Sequence, residues 1–77
     1  MTELEFIKKL NDLASNEAFY RRKVNRMSAV YNDMIFDRSI SKSQCAAYAL
    51  RMEDAKESWV HVRAQIVKTV VDYFDVE

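Results

Sequence analysis

The chain contains neither glycine nor proline, and this absence limits its fold more than any residue it has. Glycine supplies the positive-φ positions of tight hairpins and proline pre-forms turns and strand edges, so a β-meander or an α/β fold lacking both is disfavoured. Helices need neither residue. With 49% hydrophobic and 31% charged side chains, the composition is that of a packed helical domain and not of a disordered tail. We therefore expect an all-α fold, with residues 1–77 forming one helical domain.

Caps and spacing divide that domain into three predicted helices. Thr2 with Glu5 matches a capping box, in which each side chain satisfies a backbone group left open at a helix start. From Glu3 to about Ala14, the residues Leu4, Ile7, Leu10, Leu13 and Ala14 recur at helical spacing and predict one apolar stripe. Ser15 and Asn16 then read as an interruption, since both side chains compete for backbone hydrogen bonds and favour helix starts. A second helix follows from Glu17 to about Phe36, with a coiled-coil seam of Tyr20, Val24, Met27, Tyr31 and Met34. Asp37-Arg38-Ser39-Ile40-Ser41 is the next polar interruption, and Ser41 with Gln44 forms a second capping box. The third helix then runs to the C-terminus on Cys45, Tyr48, Met52, Ala55, Trp59, Val62, Ile66, Thr69 and Tyr73. Within it Ile66–Val71 is rich in β-branched residues, a strand-like stretch with no second strand to pair with.

The expected architecture is an antiparallel helical hairpin with a short N-terminal helix packed behind the long C-terminal helix. That third helix carries a second stripe on its rear, Val60, Ala64, Val67, Val71 and Phe74, which one short helix cannot cover. Only about 60% of the unfolded surface is buried by a chain of 77 residues, so the core is thin. A lone cysteine, Cys45, excludes an internal disulfide, and one Cys with one His cannot supply a four-ligand zinc site. We therefore expect a homo-oligomer.

Twelve basic residues balance twelve acidic ones. No global field draws the chain to DNA, RNA or an anionic membrane, so nucleic acid is disfavoured as a partner. Apolar runs fall short of the roughly 18 residues of a membrane span, and the acidic start Thr2-Glu3-Leu4-Glu5 is unlike a secretion signal. The expected location is cytoplasmic.

Tyr20, Arg22, Lys23 and Arg26 form the densest charge cluster. Arg22 and Arg26 are like charges at i, i+4 with no evident counter-charge, an arrangement that costs about 0.2–0.5 kcal/mol and that an anionic partner would offset. The alternative is a solvated face paired with acids of a neighbouring helix. Leu50 lies off its seam and marks a contact surface, whereas Phe19 and Phe36, also off the seam, are expected to pack against the two loops. His61 near Glu57 resembles half of an acid/base pair but lacks a nucleophile at a usable spacing. Cys45 and the Met, Tyr and Trp residues of the seams are expected to be core. Glu53, Asp54 and Glu57 spread around their helix and lack the Glu-x-x-His spacing of di-iron bundles, so no metal or other cofactor is expected.

Motifs that need glycine, such as phosphate-cradling loops and nucleophile elbows, are excluded. The expected function is that of a non-enzymatic, oligomeric helical protein that binds and modulates a macromolecular partner, most plainly a protein. An oligomeric binder for an anionic small ligand such as a nucleotide is the alternative. In general character the chain is similar to small phage-encoded or mobile-element accessory proteins that inhibit a host component, a likeness carried by no particular residue.

Overall fold

The computed structural model describes residues 1–75, so the last two positions of the expected domain lie outside the described residues. Two helices, α1 (Glu3–Phe36) and α2 (Lys42–Phe74), form an antiparallel hairpin, and no strand occurs among the described residues. Ile66–Val71 is helical despite its β-branched side chains.

The all-helical hairpin is as expected, but the three-helix division is not. Ser15 and Asn16 lie inside α1, which runs unbroken for 34 residues. Both side chains are exposed, and their intrinsic cost in a helix is at most about 0.7 kcal/mol each relative to alanine. A break there would forfeit several backbone hydrogen bonds and expose the seam on either side. The helix therefore continues, and nothing folds back behind α2.

Continuity also changes which residues of the N-terminal segment face inward. Phe6, Leu10, Leu13, Glu17, Tyr20, Val24, Met27, Tyr31 and Met34 recur at four, three, four, three without a phase shift, and every one is buried or half-buried. The expected stripe was rotated from this seam. Leu4 is 77% exposed, and Ile7 and Ala14 are exposed too. On α2 the expected seam holds throughout, with Met52, Ala55, Val62 and Thr69 buried and Cys45, Tyr48, Trp59, Ile66 and Tyr73 half-buried.

Pairs along the seam fix the antiparallel register. The rings of Phe6 and Tyr73 stack with centroids 3.9 Å apart, and Phe74 meets Phe6 edge-on at 5.8 Å. Further along, the Trp59 indole Nε1–H donates to Glu17 Oε2 at 2.9 Å, and the Ser28 hydroxyl lies 3.6 Å from the Met52 sulfur. Near the turn the Cys45 thiol points at the Met34 carbonyl, 3.8 Å away. Cys45 and the seam aromatics are thus packing groups.

The turn follows the expected chemistry. Asp37 ends α1, and the Ile40 N–H donates to the Asp37 carbonyl at 3.2 Å. Its carboxylate accepts from the Ser39 hydroxyl at 2.7 Å and from the Ser39 N–H at 2.9 Å. These two bonds, the hydroxyl foremost, hold the Asp37 carboxyl below its ordinary value. Ser41 and Gln44 then make both arms of a capping box. At the other helix start, Thr2 accepts from the Glu5 N–H at 3.1 Å, while the Glu5 carboxylate accepts from the Thr2 hydroxyl instead of from its backbone.

The hairpin is long and thin, 58 × 18 × 12 Å. Its radius of gyration of 17.4 Å compares with about 11.5 Å for a compact domain of this length. Five apolar residues and Thr69 are buried, and none of their side chains is fully enclosed.

Candidate functional site

Heptad phase decides where each cationic side chain of α1 sits. Tyr20 occupies the seam, half-buried, where it borders a groove between the helices with Met27, Arg51 and Asp54. Arg22 and Arg26 fall on the outer side and, with Phe19 and Lys23, line an open depression on α1, while Lys23 also borders the groove that holds Tyr20 and Asp54. The structure thus brings together three of the four expected cluster residues and places Tyr20 at their edge. Its ring meets Phe19 edge-on at 5.3 Å.

Phe19 does not pack against a loop, because α1 has no loop at residues 15–16. Its side chain is 57% exposed beside three cations. Phe36, expected against the other loop, is 83% exposed at the end of α1. Phe19 was legible as an exposed aromatic, and the helix expected from Glu17 already put residues 19, 22 and 26 on one face; only the expected loop contact kept its ring apart from Arg22 and Arg26.

Electrostatics make the depression one-sided. Between Asp12 and Asp33 the only acidic residue of α1 is Glu17, whose carboxylate pairs with Arg21 at 3.4 Å and accepts from Trp59. Among the described residues Arg22, Lys23 and Arg26 make no ion pair; the other salt bridge joins Lys56 and Glu53 on α2. Asp54 of α2, which shares a groove with Lys23, makes no ion pair with it.

Leu50 is 69% exposed on the outer face of α2. It belongs to the other helix and is not brought into the cationic depression. His61 is exposed as well, and the described residues hold no group of three or more His, Cys, Asp or Glu side chains arranged for a metal ion. Among the described residues no helix is long and apolar enough to cross a membrane. No protein-family model, curated protein or solved structure matches the chain.

Proposed function

We propose that the chain is a non-enzymatic interaction protein whose outer α1 face, built from Phe19, Arg22, Lys23 and Arg26, binds an acidic surface of a partner protein and modulates that partner. The observation that carries this reading is the group of three cations without ion-pair partners around an exposed aromatic ring. Such a surface offers charge-assisted hydrogen bonds to carboxylates and an apolar anchor beside them, the combination that concentrates binding energy at interfaces. Arginine and aromatic side chains are the residues most often found in that role.

A second reading rests on the same ring. A nucleotide could stack its base on Phe19 and place its phosphates against Arg22 and Arg26, because guanidinium groups bind phosphate as well as carboxylate.

The variant Arg22→Glu with Arg26→Glu tests both. The outward phase of residues 22 and 26 means that little packing is lost, so melting should change by no more than about 0.5 kcal/mol per site. Retention of the partner protein captured from native extract by wild-type chain should fall at least tenfold, about 1.4 kcal/mol. Undiminished retention would show the cluster to be a solvated face. A thermal shift with nucleotides, lost in the same variant, would select the second reading; saturation at 100 times Kd stabilises by about 2.7 kcal/mol.

A further inference from the structure

A different face carries a second inference, independent of the cationic cluster. Val60, Ala64, Val67, Val71 and Phe74 follow one another at four, three, four, three along α2, one step around the helix from the seam, and all five are exposed. Val67 alone is 62% open. The helix expected to cover this stripe is instead the first part of α1, which does not pass behind α2. Ile7 extends the same side of the hairpin: Ile35, four heptads on, and Ala46, three heptads before Val67, line one groove near the turn.

We propose that this face binds a second copy of the chain, with the C-terminal halves of two α2 helices antiparallel about a two-fold axis at Val67. Three observations commit the occupant. The chain exposes 6186 Å², whereas folded monomers of 9.1 kDa expose about 4,900 Å². The excess of about 1,300 Å² is more than the roughly 800 Å² per partner that a standard interface removes. Next, the repeat of four and three residues is the spacing that a helix, and not a loop or a strand, covers by knobs-into-holes packing. Third, the stripe is centred on Val67, with Val60 and Phe74 seven residues to either side. Antiparallel pairing about that residue sets Val60 against Phe74 and Val67 against itself, with Ala64 and Val71 flanking the axis, so one patch serves both subunits as a two-fold interface requires. A net charge of zero adds no repulsion between copies. The dimer leaves the outer face of α1 open.

Sedimentation equilibrium of the full chain at micromolar concentration should give twice the 9.1 kDa monomer mass. Single cysteines in a Cys45→Ser background then locate the axis under mild oxidation. Val67→Cys, nearly isosteric with the native residue, should cross-link to itself. Val60→Cys and Phe74→Cys should cross-link poorly alone and efficiently when mixed. A monomeric mass would overturn the proposal. A dimer that fails to cross-link through Val67→Cys, or that cross-links equally at each single position, would overturn it too, the first pointing to another face and the second to parallel pairing.

Discussion

Two polar interruptions of similar composition meet opposite fates in this chain. Ser15-Asn16 is absorbed into α1, whereas Asp37–Ser41 reverses the chain. Low helix propensity is common to both, so propensity is not what decides. At Asp37–Ser41 the side chains replace the hydrogen bonds that the backbone gives up: Asp37 accepts twice from Ser39, and Ser41 and Gln44 cap each other. Nothing equivalent is available at the other site. Three residues beyond Ser15 and Asn16 stand Ala18 and Phe19, neither of which can complete a capping box. Weak helix formers end a helix when they offer their backbone an alternative, and are otherwise carried along.

Proline gives the largest expected separation between the two sites. Asn16→Pro removes an interior backbone donor and clashes with the carbonyl of Asp12, at a cost of about 3 kcal/mol or more. In a domain with so thin a core this should abolish cooperative unfolding followed by circular dichroism. By contrast, Arg38→Pro should be neutral or stabilise by about 0.4–1 kcal/mol. Arg38 is the second residue of the turn closed by Asp37 and Ile40, and Asp37 already has the extended backbone, φ −94° and ψ 112°, that a following proline requires. Equal tolerance at both positions would mean that residues 15–16 form a loop.

A smaller contrast comes from alanine. Ser41→Ala removes the N-cap oxygen of α2 and should cost about 1 kcal/mol in urea unfolding. Ser15→Ala should instead stabilise by a few tenths of a kcal/mol, since alanine is the better residue inside a helix. Opposite signs for the same substitution would sharpen the distinction; a shared loss would place a cap at Ser15.

The residues themselves explain why one interruption was legible and the other misread. The turn could be read because Ser41 and Gln44 stand at capping-box spacing, and the α2 seam because all nine of its positions suit a half-buried interface. The α1 seam was obscured because Ser15 and Asn16 were read as an interruption and the charged Glu17 as the start of a second helix outside either stripe. Counted as a seam position, Glu17 joins Leu13 to Tyr20 at four and three, and the phase runs back to Phe6, not to Leu4 and Ile7. What justifies a carboxylate there is the indole N–H of Trp59, 42 residues away in sequence, a partner no local pattern could supply. That same misreading kept Phe19 apart from Arg22 and Arg26 and assigned the stripe around Val67 a cover it does not have. Arg22, Lys23 and Arg26 were singled out by charge density and by the i, i+4 spacing of the two arginines, and Leu50 by its phase; Tyr20 was credited to the cluster although its phase sends it into the seam.

The unbroken α1 leaves Phe19 uncovered beside the cations and the stripe of α2 open, and amide hydrogen exchange tests it most directly. In a continuous helix the N–H groups of residues 17–20 bond to the carbonyls of residues 13–16, and they should exchange as slowly as those of residues 24–27 in the same helix. Exchange at residues 17–20 as fast as that of Arg38 and Ser39 in the turn would contradict it, and would restore a separate N-terminal helix free to cover α2.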